Sequence, residues 1–112
     1  MPADSLLTQC QLAVRTGRFA KGDALLPAVT GKQAYAVVQS EGAGQNRAKK
    51  LRDKCSYYNV PLVILPALRF NAISEKVAAA MAVTDPGFAD RIVKGALQEG
   101  LPVYNADGQE SA

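Results

Sequence analysis

Two short runs of this chain carry no polar side chain: Leu62-Val63-Ile64-Leu65 and Val77-Ala78-Ala79-Ala80-Met81-Ala82-Val83. A strand with one wet face alternates apolar with polar residues. A run without alternation belongs to a strand covered on both sides, so both runs are expected to be buried strands with helices on each face of their sheet. The rest of the chain supplies those helices. Residues 5–16 put Leu6, Cys10, Ala13 and Val14 on one side, with Ser5 as N-cap and Gly17 just past the end. Gly22-Asp23 opens a second helix, running to about Thr30 and stopped by Gly31; Pro27 fits only in its first turn. The third runs from near Gln45 to Tyr57 or Tyr58, with Ala48, Leu51, Cys55 and Tyr58 on its apolar face. Asn59-Val60-Pro61 breaks it. A short fourth helix opens at Pro66 and reaches about Ser74. In Thr84-Asp85-Pro86-Gly87, Asp85 caps a fifth helix with Pro86 in its first position. That helix runs to about Leu97 and spaces Phe88, Ile92 and Ala96 four apart. Arg18-Phe19-Ala20-Lys21 and residues 34–39 read as further strands. The pattern predicts a three-layer α/β/α sandwich with about four strands. Residues 1–97 form its one domain, and 98–112, polar and turn-rich, a tail.

A chain of 112 residues, 48% of them hydrophobic, can build one core without a disulfide or a metal. There is no histidine, which removes imidazole catalysis and every zinc site that needs that ligand. Cys10 and Cys55 are too few for a disulfide framework and lack metal-ligand spacing, so both are expected as reduced thiols. Basic neighbours favour a reactive Cys55, but an apolar helix face near the C-terminal end of a helix opposes one, and the latter reading prevails. Asp85 reads as a cap before it reads as a catalytic carboxylate. No cofactor is expected. Gly42-Ala43-Gly44 precedes a helix as a phosphate-cradling loop does, but lacks the third glycine or the Lys-Ser/Thr of such loops; a turn needing positive φ explains it equally well. No apolar run is long enough to cross a membrane, and residues 1–5 do not read as a secretion signal, so a cytoplasmic location is expected.

Charge is uneven. Residues 15–54 hold nine basic side chains against three acidic ones, a net of +6, whereas residues 55–112 net −2. A basic half of this kind suits a polyanion, although solvated helix surfaces look the same.

Several segments together resemble a known family. They are Leu6-Leu7 with Arg15-Thr16-Gly17-Arg18, then Gly31-Lys32-Gln33-Ala34, then Asn46 with Lys49-Lys50-Leu51. The most specific are Asp53-Lys54-Cys55-Ser56-Tyr57-Tyr58-Asn59-Val60-Pro61 and Ala82-Val83-Thr84-Asp85-Pro86-Gly87-Phe88-Ala89. From Leu6 to about Leu97 the chain resembles the kink-turn RNA-binding ribosomal proteins, the seven-Ae, thirty-e, twelve-e and Gadd superfamily, in its bacterial YlxQ-like branch. The resemblance implies an α/β/α sandwich around a mixed four-stranded sheet, no cofactor, and a non-catalytic role on structured RNA, ribosomal RNA or a kink-turn included. In that family a Gly-x-Asn-Glu-x-x-Lys pattern opens the second helix. Its Asn and Glu read sheared G·A pairs, and its Lys meets phosphate. The corresponding residues here are Lys21-Gly22-Asp23-Ala24, with Pro27 near the Lys position. Asp23 can replace the Glu as acceptor, but the Asn has no counterpart. The family's partly apolar loop corresponds to Ser74-Glu75-Lys76-Val77-Ala78, with Val77 as apolar contact and Phe70 and Ser74 in place of glycines.

The resulting RNA face comprises Arg18, Lys21, Gly22, Asp23, Gln45, Asn46, Lys76 and Val77, extended by Lys49 and Lys50. The competing reading makes Gln45 and Asn46 helix caps, and Lys49 and Lys50 ordinary surface charges. Tyr57 and Tyr58 offer rings for base stacking. The spacing instead assigns Tyr58 to the core and Tyr57 to cover the sheet edge. A monomer is expected. The alternative to an RNA binder is a protein-interaction module of the same fold that has lost kink-turn recognition.

Overall fold

The first apolar run and the second from Ala80 onward form interior strands of the sheet. In the computed structural model, which describes residues 5–105, the chain forms α1 (Ser5–Arg15), β1 (Phe19–Ala20), a single 3₁₀ turn (Gly22–Ala24), α2 (Leu25–Thr30), β2 (Ala36–Ser40) and α3 (Gln45–Tyr57). It continues as β3 (Leu62–Leu65), α4 (Ala67–Asn71), β4 (Ala80–Val83), α5 (Pro86–Gln98) and β5 (Val103–Tyr104). The sheet order is β1-β4-β2-β3-β5. Strands β2 and β3 run parallel, with Val37 opposite Leu62 and Ser40 opposite Leu65. The other three pairings are antiparallel. The parallel pair is joined by α3, since a parallel connection must cross back over the sheet.

Successive residues of the central strands feed different layers. Ala36, Val38, Val63, Leu65, Met81 and Val83 pack with α1, α4 and α5. Val37, Leu62, Ala80 and Ala82 pack with α2 and α3. This is the α/β/α sandwich, and it explains the missing alternation: both faces are apolar because both are covered. Cys10 lies in the first layer and Cys55 in the second, each fully buried and neither in a disulfide. Asp85 caps α5 as expected, its Oδ1 accepting from the Phe88 N–H at 3.1 Å with Pro86 first in the helix.

Four features differ from expectation. The sheet has five strands, because Val103 and Tyr104 pair with Val63 and Leu62. They come from the segment read as a tail; of that segment, residues 106–112 lie outside the described residues, as do 1–4 of the stretch read for a secretion signal. The second apolar run is strand only from Ala80. Residues 77–79 are irregular because the partner strand has ended: Ala80 already faces Gln39, next to the last residue of β2. Helix α4 stops at Asn71, with Pro66 in the cap position and not inside. A 3₁₀ turn precedes α2, which leaves Pro27 in the first turn, where it is tolerated. Gly31 stops α2 after Thr30 as expected, and the left-handed residue that follows is Lys32, at φ 61°. Gly31 is small because a Cβ there would lie 2.9 Å from the Pro27 carbonyl oxygen.

Candidate nucleic-acid interface

At one end of the sheet β1 and β2 finish and β4 begins, with Ala20 opposite Ala82 and Gln39 opposite Ala80. The chain leaves β1 into the 3₁₀ turn and α2, leaves β2 toward α3, and enters β4 from the loop after α4. These three segments enclose an open groove of about 670 Å³. Its walls and floor are apolar: Leu25 and Leu26 of α2, Leu51 of α3, and Ala78, Ala79 and Ala80. Its rim carries Lys21, Arg47, Lys50 and Lys76 with one carboxylate, Asp23. All five charged residues are exposed. Among the described residues none of the four cations has an ion-pair partner. An anion entering the groove therefore meets positive charge that no carboxylate has already neutralised.

Local conformation sets this rim. Lys21 is extended, and Gly22 turns the chain with φ +57°, a region that side chains disfavour. Lys76 stands in a tight loop in which Ser74 Oγ accepts the Lys76 N–H at 3.0 Å. The Ser74 hydroxyl thus helps to hold the loop. Arg47, Lys50 and Leu51 share a face of α3 by their spacing of three and four.

The residues expected to form an RNA face separate into two groups. Lys21, Gly22, Asp23, Lys50 and Lys76 converge on the groove. The other five do not line it. Arg18, before β1, directs its guanidinium to Asp85, 3.5 Å away at the start of α5. Lys49 pairs with Asp53 at 3.0 Å. Gln45 and Asn46 are exposed at the start of α3 and do not cap it; Gly44 holds the cap position, and no side chain bonds to it. Val77, expected as an apolar contact, is 6% exposed and turned into the core beside α1 and α5. Gly42 and Gly44 do not take positive φ. Gly42 instead donates its N–H to Ser40 Oγ at 3.0 Å in a tight turn.

Arg47 lies outside the expected face but on the groove's rim, and its spacing of three from Lys50 on the same helix is the signal for it. The apolar floor had no such signal, because residues 78 and 79 read as strand interior. Burial pushes the Cys55 thiol up to about 12, so it is no nucleophile at neutral pH. Among the described residues no group of three or more metal-binding side chains forms, and no helix is long and apolar enough to cross a membrane.

No family model matches the chain. It is 35% identical over 85 residues to the RNA-binding protein YlxQ of Bacillus subtilis (strain 168), spanning 73% of this chain and 85% of that protein. Among solved structures it resembles a protein of unknown function from Bacillus halodurans, with a TM-score of 0.77 and 27% identity over 84% of this chain and 98% of the other.

Proposed function

The chain belongs to the YlxQ family, and from that premise we propose that it is a non-catalytic binder of structured RNA, gripping a sharply bent RNA of kink-turn type in the groove between α2 and α3. The observation that carries the reading is the groove itself: four unpartnered cations and one acceptor around an apolar floor, in a family with a member named as RNA-binding. Lys21, Arg47, Lys50 and Lys76 neutralise phosphates, which supplies most of the affinity and little of the specificity. Asp23 accepts from the amino edge of a base. The apolar floor takes the faces of sugars or bases that a bend exposes. Because the Asn of the superfamily pattern is absent, charge outweighs base reading. Ribosomal RNA is the proposed target class by the same superfamily likeness.

A titration of one kink-turn RNA and one plain duplex at two salt concentrations tests this. Log affinity is expected to fall with log salt by about 0.9 per phosphate neutralised. Replacing Lys21 and Lys76 together by Ala weakens both RNAs and flattens the slope by roughly two phosphates' worth. Asp23→Ala erodes only the preference for the kink-turn. Lys94→Ala, on α5 beside Asp90, serves as the neutral control. Absence of binding at low salt defeats the reading and favours a protein-interaction module. Equal binding to both RNAs keeps the electrostatic grip and rejects kink-turn recognition.

A further inference from the structure

The groove does not use all of the exposed face of α3. Arg47, Lys50, Lys54 and Tyr57 recur at steps of three, four and three residues, so they stand in one line along roughly 15 Å of helix. Arg47 and Lys50 belong to the groove. Lys50 also lines a second, shallower cleft of about 380 Å³ with Asp53, Lys54, Tyr57 and Tyr58. The two hollows therefore meet at Lys50. Asp53 is engaged by Lys49, and neither Lys50 nor Lys54 has an ion-pair partner among the described residues.

Tyr57 does not cover the sheet edge; it is 81% exposed. Tyr58 is half-buried against the layer that holds α2 and α3. The two rings meet edge to face, with centroids 4.9 Å apart and planes at 74°. The anchored ring thus sets the tilt of the exposed one. Single-stranded nucleic acid is held by this combination: cations track the phosphates and an exposed ring takes the face of a base.

The geometry points to a second subsite, in which Tyr57, with Lys50 and Lys54, stacks an unpaired base of the RNA strand as it leaves the groove. The proposal rests on the RNA reading above and adds a preference: structured RNA flanked by single strand binds better than the same RNA with blunt ends. The test uses a blunt kink-turn RNA and the same RNA carrying unpaired adenosines, on the 5′ strand in one version and the 3′ strand in another. One of the two extensions is expected to tighten binding by the wild type roughly 5- to 150-fold, the range of one stacked base. Tyr57→Ala removes that gain and leaves affinity for the blunt RNA unchanged, which also shows the variant to be folded. Tyr57→Phe keeps the gain. Lys54→Ala flattens the salt dependence of the extended RNA alone, by about 0.7. Blunt RNA bound without any gain from either extension, or a gain that survives Tyr57→Ala, overturns the subsite while leaving the groove in place. No binding of any of the three RNAs at low salt overturns both.

Discussion

Four helix ends close the same way, with one residue in the left-handed region and the next N–H reaching back. Arg18 N–H meets the Ala13 carbonyl at 2.8 Å, Gln33 meets Ala28 at 2.9 Å, Val60 meets Cys55 at 2.8 Å, and Leu101 meets Ala96 at 3.0 Å. Gly17 and Gly100 take positive φ without strain, whereas Lys32 and Asn59 do so with a Cβ. A lysine in that region costs on the order of 1 kcal/mol. Lys32→Gly is therefore expected to raise stability by up to about 1 kcal/mol, seen as a higher urea midpoint at unchanged slope. Gly22→Ala should do the reverse by about 1 kcal/mol, through strain alone, because no atom beyond its chain neighbours lies within 4 Å of the added Cβ. Cys55 adds a pH signature. Its buried thiol holds its proton up to about 12, against an ordinary value of 9.0. The folded state then binds more protons than the unfolded one between those values. The contribution is fully present below about pH 9 and is lost as pH rises toward 12. Urea unfolding from pH 8 to 10.5 should show the wild type losing stability relative to Cys55→Ala, by at most about 1.4 kcal/mol per pH unit.

Among the elements, β5 is the least obvious and among the most consequential. Two residues long, it closes the outer edge of β3. Its anchors are spread over the segment. Pro102 accepts the Ile64 N–H at 3.0 Å, Asn105 Nδ2 donates to the Val60 carbonyl at 3.3 Å, and the Arg52 guanidinium lies 5.7 Å from the Tyr104 ring centroid. Leu101 and Val103 pack against the core. Ending the chain after Gly100 is expected to cost about 2 kcal/mol of stability from the apolar surface uncovered. It also leaves an unpaired strand edge, so concentration-dependent association should appear by light scattering. Unchanged unfolding and scattering would mean that β5 contributes nothing. No period announces such a strand: two residues are too few to alternate, and the polar residues around them resemble a solvated end. The helices, by contrast, are written in the local sequence. Their apolar faces and caps are properties of neighbouring residues, as Asp85 and Pro86 illustrate.

For the whole molecule, the sheet separates Cys10 from Cys55, so the two thiols cannot approach to bonding distance without unfolding. Mild oxidant is expected to leave the mobility of the native protein on a non-reducing gel unchanged; a faster-migrating monomer would contradict the layering. The sheet also assembles the groove. Lys21, Arg47 and Lys50 come from the basic half of the chain, but Lys76 comes from the acidic half and joins them only because β4 lies between β1 and β2. The sequence by itself determined which strands are covered on both faces, where most helices begin and end, and that the thiols stay unbridged. These are consequences of burial and of short-range geometry, which residue spacing records. The tertiary structure alone decided the strand order, the fifth strand, the inward turn of Val77, the outward turn of Tyr57, and the separation of Arg18 and Lys49 from the groove. Spacing tells that a side chain is covered or wet. It does not tell which distant segment lies opposite, because that choice depends on how non-local elements close against one another.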